Sequence, residues 1–148
     1  MKTATLNSVH TTRFGVVEYA PEDVLEFPNG LIGLPDFRSF VVIRTRIDSV
    51  FRWLQSLDEP GIAFLVTDPR NYVQNYSPGA FNGENRLVFT TVNIPHGKPD
   101  EMTINLAGPI TVDAESRQGR QIVLDSDAYT TRYRVFANGS KSSEDLAA

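Results

Sequence analysis

The chain has 148 residues, 41% hydrophobic and 22% charged, a composition that fits one globular domain and not a disordered chain. It contains no cysteine, which excludes thiol catalysis, Cys-ligated zinc, iron–sulfur clusters and any disulfide framework. Fourteen Lys and Arg against 18 Asp and Glu give a net charge of −4, so no direct nucleic-acid binding or attraction to an anionic membrane is expected, and a basic protein partner is more natural.

Residues 1–10 lack periodicity and residues 137–148 are small and polar. Both read as flexible tails around a single domain, 11–136. In chain order the strand candidates are 12–18, 24–27, 40–43, 52–54, 62–66, 87–92, 102–106, 110–113, 121–124 and 129–135. The runs at 40–43 and 62–66 are continuously apolar, as in strands buried on both faces. In 129–135 the alternation places Tyr129, Thr131, Tyr133 and Val135 on one face and Thr130, Arg132 and Arg134 on the other. Helical spacing is scarce, with single turns expected only at 35–38 and 69–72, each opening on Pro. The expected fold is all-β, a compact antiparallel β-barrel-like or sandwich domain with one or two short helical turns. The longest apolar run is far shorter than the roughly 20 residues of a membrane span. The N-terminus lacks the apolar stretch of a secretory signal, so the cytoplasm is the expected compartment.

Catalytic constellations are hard to find. His10 lies in the expected tail and His96 in a Pro-His-Gly-Lys-Pro turn, neither with a second histidine at metal-ligand spacing. No nucleophile elbow, dinucleotide fingerprint or phosphate loop is present, so neither a catalytic nor a metal residue is assigned and no cofactor is expected. Gly30-Leu31-Ile32-Gly33 matches the bare Gly-x-x-Gly of a KH loop, but it carries no cation and lies in a strand-rich chain. Asp125 and Asp127 read as a hairpin end.

Two passages remain. Glu18, Glu22, Asp23 and Glu26 fall within nine residues; they read as a solvated turn, as an acidic docking patch, or as an acid–base pair in a small-ligand or hydrolytic barrel. From Phe27 to Pro35, two glycines and two prolines bend the chain among large apolar residues. That loop either plugs the core or displays Leu31, Ile32, Leu34 and Phe37 as an apolar contact surface. Trp53 is expected to anchor the core, and Gln55 beside it must find hydrogen-bond partners, tying down the turn that follows.

Taken in order, several passages resemble the flagellar assembly factor FliW family. They are Thr12-Arg13-Phe14-Gly15 with Glu18; Phe27-Pro28-Asn29-Gly30-Leu31-Ile32-Gly33 with Phe37 and Phe40; and Trp53-Leu54-Gln55-Ser56-Leu57-Asp58-Glu59-Pro60. Ala63-Phe64, Asp68-Pro69, Tyr76, Asn105-Leu106-Ala107-Gly108-Pro109-Ile110 and Gln121 complete the pattern. The resemblance covers roughly 11–133. It implies a bacterial, cytoplasmic, non-enzymatic regulator with a β-barrel-like fold that binds the translational repressor CsrA and, as a competing partner, flagellin. When flagellin is exported, the freed factor captures CsrA and flagellin translation resumes. Phe27, Gly30, Gly33, Trp53, Gln55, Asn105, Pro109 and Gln121 are then expected to be structural. The acidic group and the apolar 31–37 group are the expected contact residues. Asp113 stands where the family commonly has Asn.

Overall fold

The computed structural model describes residues 5–73, 76, 86–124 and 128–136. Among them β1 (Asn7–Thr11) and β2 (Gly15–Tyr19) form an antiparallel hairpin in which Val9 faces Val17 and Thr11 faces Gly15. Residues 7–10 therefore belong to a strand and not to a tail, with Val9 and Thr11 buried and Ser8 and His10 exposed. The strand expected at 12–18 starts only at Gly15, because Thr11 closes a tight turn over 12–14. Its hydroxyl accepts from the Phe14 amide at 2.8 Å and donates to the Gly15 carbonyl at 2.8 Å, while Gly15 takes φ +69°.

The remaining strands are β3 (Leu25–Glu26), β4 (Ser39–Ile43), β5 (Phe51–Ser56), β6 (Ala63–Thr67), β7 (Arg86–Asn93), β8 (Thr103–Ile104), β9 (Ile110–Asp113), β10 (Gly119–Gln121) and β11 (Tyr133–Arg134). They pair antiparallel along the path β10-β9-β7-β6-β5-β4-β3, with β8 on β7 and β11 on β8. The two ends of this path meet. Glu26 of β3 forms a parallel bridge with Gln118, and its amide donates to the Arg117 carbonyl at 2.9 Å. The sheet thus closes on itself as a barrel, which leaves those two edges no unpaired row at the seam.

Register decides what the barrel encloses. Leu54 sits opposite Phe64, and Val66 opposite Thr91; with Phe40, Leu25, Phe27, Leu31, Ile110 and Val112 these strands build the inner cluster. Phe27 and Phe40 meet edge to face at 5.4 Å. The opposite face of the same strands presents Phe51, Leu65 and Val92 to a second cluster containing Tyr76, Met102, Ile104, Leu106 and Phe136. Packing on both faces, Phe64 and Val66 on the inner cluster and Leu65 on the second, accounts for the apolar run over β6, although Ala63, Phe64 and Leu65 stay partly exposed; in β4 Val42 breaks the rule, at 37% exposed.

Several elements are shorter than expected. Of 102–106 only β8 is ladder, since the Asn105 carboxamide accepts from the Ala107 amide and turns the chain. Beyond Gln121, Ile122 and Leu124 donate to the Pro109 and Ala107 carbonyls, so 122–124 follows a turn instead of a strand. Of 129–135 only Tyr133–Arg134 pairs, because the Thr130 hydroxyl accepts from the Arg132 amide and bends the chain before it. The alternation holds in burial except at Thr131: Tyr129, Tyr133 and Val135 pack on the second cluster and Thr130, Arg132 and Arg134 are exposed, but Thr131, expected on the packed face, is exposed where the chain bends. Pro69–Asn71 forms a 3₁₀ turn capped by Asp68, as do the uncapped Pro21–Asp23 and Pro99–Glu101. Residues 35–38 make no helical turn. Phe37 donates to Leu34 and the chain then returns to β4. The hairpin-end reading of Asp125 and Asp127 and the 137–148 tail lie outside the described residues.

Gly119 has a specific reason to lack a side chain. A Cβ there would lie 2.7 and 2.9 Å from the Phe27 ring and 2.9 Å from the Thr111 carbonyl oxygen. Gly119→Ala should cost about 1–3 kcal/mol in urea unfolding, the usual range for overpacking. Adding Phe27→Leu should make the double variant more stable than the sum of the two single losses, and strict additivity would show that the two groups do not touch.

Candidate functional site

The acidic segment is fastened from behind by one arginine. Asp113 ends β9 and its Oδ1 accepts from the Glu115 and Ser116 amides, both at 2.9 Å. These bonds, with Arg86 nearby, hold its carboxyl below the ordinary carboxylate range. The loop so gathered puts Arg117 at φ +62°, the left-handed region that a side chain seldom adopts. Its amide donates to the Asp113 carbonyl at 2.8 Å and its own carbonyl takes the Glu26 amide. Its guanidinium donates to the Glu22 carbonyl at 3.2 Å and lies 3.8 Å from the Asp23 carboxylate. Glu22 and Asp23 ride on the Pro21–Asp23 turn, both exposed.

The four carboxylates do different things. Glu26 accepts from the Ser39 hydroxyl across the β3–β4 pair at 3.0 Å. Glu18, opposite Ser8 on the hairpin, and Asp23 line a groove of about 630 Å³ between β2 and the sheet. Val17, Val41, Ile43 and Phe89 contribute to its walls, with the exposed side chains of Val42, Val50 and Leu87. Arg44, Arg52 and Arg117 line it as well. Arg52 donates to the Ser49 and Phe51 carbonyls at 2.6 and 2.8 Å. Burial, and then the like charge of Arg44, press its guanidinium below the ordinary pKa. The result is an apolar strip bordered by Glu18 on β2 and Asp23 on the turn after it, by Asp68 beyond β6, and by Arg44, Arg52 and Arg117.

The 31–37 loop is not a groove. Leu31 is buried, and Leu34 and Phe37 pack against the inner cluster. Leu31 and Leu34 bond each other's backbones around a tight turn in which Gly33 takes φ +80°, and Ile32 at the tip is 52% exposed. Gly30, at φ +68°, packs so closely that a Cβ would strike the Leu34 carbonyl. Of the four residues expected as a contact surface, Leu31 is buried, Leu34 and Phe37 are half-buried against the inner cluster, and Ile32 is the most exposed.

Most of the expected structural residues form ties. Gln121 accepts from the Ile32 amide at 2.9 Å and donates to the Gly108 carbonyl at 3.0 Å, joining the 27–35 loop to the turn from Asn105 to Pro109. Gln55, fully buried, places Nε2 within 2.9–3.1 Å of the Ser56, Pro60 and Ile62 carbonyls and so holds the β5–β6 turn. Trp53 is only half-buried. Phe14 meets it edge-on at 5.6 Å and the Arg13 guanidinium lies 4.5 Å from its ring centre, so it clamps the hairpin tip instead of filling the core. Arg44, Arg52, Arg117, Val50 and Leu87 were not singled out from sequence; the Arg44-Thr-Arg-Ile-Asp-Ser-Val loop between two strands was the one available signal.

Among the described residues no helix is long and apolar enough to cross a membrane, and no group of three or more His, Asp or Glu is placed to hold a metal ion. The FliW protein family model matches residues 8–135. The flagellar assembly factor FliW of Leptospira biflexa is 30% identical, over 93% of this chain and 97% of its own length. That of Magnetococcus marinus is 37% identical, over 90% of this chain and 88% of its own. A crystal structure of the flagellar assembly factor FliW superposes with a TM-score of 0.77 at 25% identity, covering 88% of this chain and 98% of that one.

The Asp113 cap has a pH signature. A carboxyl whose folded pKa is depressed contributes stability that is present above its unfolded value, about 3.9, and is lost as pH falls through the folded value. Asp113→Asn keeps an oxygen for both amides but does not titrate. Its urea midpoint should therefore fall less steeply than the parent's between about pH 5 and 3, and identical slopes would show that this carboxylate does not hold the loop.

Proposed function

Because the chain belongs to the FliW family, we propose that it is a non-enzymatic assembly factor of the cytoplasm that works by protein–protein contact. It binds the translational repressor CsrA, relieves the repression of flagellin translation, and binds flagellin as the competing partner. The observation that carries this reading is the family match over 8–135, together with relatives of nearly equal length that bear the name flagellar assembly factor.

In this reading the 18–26 segment faces CsrA. Glu22 and Asp23 lie on a turn that Arg117 and the seam hold in place, with Glu18 on β2 and Glu26 on β3 beside it, and negative charge set beside an RNA-binding surface repels incoming phosphate. The apolar strip through Val42, Val50 and Leu87 is the surface for flagellin. An amphipathic helix laid along it would bury its apolar face there. This moves the apolar contact from the 31–37 loop to the groove.

Calorimetry of the purified chain with CsrA and with flagellin, separately and then together, tests the proposal. Each should bind alone, and saturation with one should weaken the other; inert mixing curves against both would reject it. Reversing Glu22, Asp23 and Glu26 to Lys should slow CsrA association about tenfold or more at low salt and flatten its salt dependence. Val42→Asp with Leu87→Asp, checked for an unchanged melting temperature, should weaken flagellin binding while leaving CsrA binding in place.

A further inference from the structure

Two arginines of the groove between β2 and the sheet have no anion of their own. Of the carboxylates that line it, Asp68 is taken by Arg70, whose Nε and Nη2 donate to its two oxygens at 2.7–3.2 Å, and Asp23 lies 3.8 Å from Arg117. Glu18, on β2, reaches neither of the remaining pair, Arg44 and Arg52. Among the described residues neither arginine is ion-paired, and the Arg44 guanidinium makes no hydrogen bond. Arg52 uses only Nη1 on the protein itself, at the Ser49 and Phe51 carbonyls. Its guanidinium is thus anchored while Nε and Nη2 have no partner among the described residues. That edge carries two parallel N–H bonds, the arrangement that matches the two oxygens of a carboxylate. The two arginines also stand together. Val42 pairs with Leu54, and Arg44, just past the end of β4, and Arg52, on β5, each lie two residues from that pair toward the same end of the sheet. Like charges so placed repel, and the effect is felt at Arg52. An incoming anion relieves it.

We infer that Arg44 and Arg52 are an acidic-residue station: they take the carboxylate of a Glu or Asp on the amphipathic helix that lies along Val42, Val50 and Leu87. The inference rests on the reading of this groove as the surface for flagellin. It adds the charge that must accompany the apolar stripe and the place where that charge falls. Two residues of a strand advance about 6.6 Å, close to the pitch of about 5.4 Å of a helix. On a helix running along β4 the acidic residue therefore stands one turn, three or four positions, from the apolar residue that covers Val42. A side chain of a docked polypeptide is the occupant, and not a free anion, because exposed apolar groups of Val42, Val50 and Leu87 share the groove with the arginines. A lone phosphate leaves those groups in water, whereas a helix covers them and brings its carboxylate in the same step. The two arginines divide the work. Arg52, anchored by its carbonyl bonds, sets the geometry, and exposed Arg44 adds charge beside it.

Calorimetry of the full chain with monomeric flagellin, at about 50 and 300 mM salt, tests it together with nitrogen-edited NMR of the arginine side chains. Arg44→Glu breaks no described hydrogen bond, so it should keep the melting temperature. It should weaken flagellin binding about tenfold or more at low salt and flatten the loss of affinity with salt. Arg52→Lys keeps the charge without the paired donors and should weaken flagellin by a similar factor; if it fails to fold, Arg44→Glu and the spectra decide. In the parent chain the Arg52 Nε–H signal should move when flagellin saturates the groove. Charge reversal of each acidic residue of flagellin in turn should find one that weakens binding to the parent chain and restores it to Arg44→Glu, with an apolar residue three or four positions away. Parent-like affinity and salt dependence in Arg44→Glu would overturn the station. So would an Arg52 Nε–H signal that moves with inorganic phosphate and stays in place with flagellin, which would mark a free-anion site. If Val42→Asp with Leu87→Asp weakens flagellin and Arg44→Glu does not, the station falls and the proposed function stands; a parent chain inert toward flagellin would remove both.

Discussion

The approach of the Phe27 ring to the bare backbone at Gly119 sets how closely the two ends of the sheet can come together. Only when that gap is short can the Glu26 amide reach the Arg117 carbonyl and the Glu26–Gln118 bridge form. A seven-strand path is then converted from an open sheet, with two edges to protect, into a wall around the inner cluster. The constraint is steric before it is electrostatic. The seam's hydrogen bonds are ordinary in length, and each contributes about 1 kcal/mol net, but their alignment depends on the absence of one carbon atom.

Closure also decides what the surface displays. The residue that completes the seam, Arg117, is held in a left-handed conformation by the Asp113 turn, and this carries its guanidinium to the back of the Pro21–Asp23 turn. The acidic rim is thus an extension of the barrel's fastening. Its individual ion pair at 3.8 Å is weak and solvent-screened; its rigidity comes from backbone bonds. The same closure buries Leu31 and half-buries Leu34 and Phe37 against the inner cluster, while a larger apolar surface lies at the mouth between the hairpin and β4.

The fold class was legible from the sequence because it rests on local signals: short β-branched runs, glycine and proline punctuation, and almost no helical spacing. The strand at 110–113 was placed to the residue, since Pro109 precedes it and Asp113 ends it. Boundaries failed wherever a side chain competes with the ladder. Thr11, Asn105 and Thr130 each bond a nearby amide and cut a strand short, and composition does not reveal which polar residue will do so. The β1 strand was missed because only Val9 and Thr11 mark its buried face, too few for a period. Gln55 was read as a tie for the following turn, and it is one, because a fully buried amide has few alternatives. The candidate surface was harder to see. The carboxylates were visible as a run, but the arginines that share their groove come from residues 44, 52 and 117, which only the folded topology brings together. That the large side chains of a bent glycine-rich loop point inward is likewise a tertiary fact.

The chain has a single tryptophan, and it stands at a junction. One side of the indole meets the hairpin tip through Arg13 and Phe14, and the residue also lines a surface depression with Ala63, Leu65, Val92 and Ile94. Its emission therefore comes from one chromophore that feels both regions. Undocking of the hairpin would lift the guanidinium and the phenyl edge from the ring, while anything seated in that depression would drain solvent from its flank. The protein thus carries a native optical gauge whose two responses should have opposite sign, a red shift for the first and a blue shift for the second.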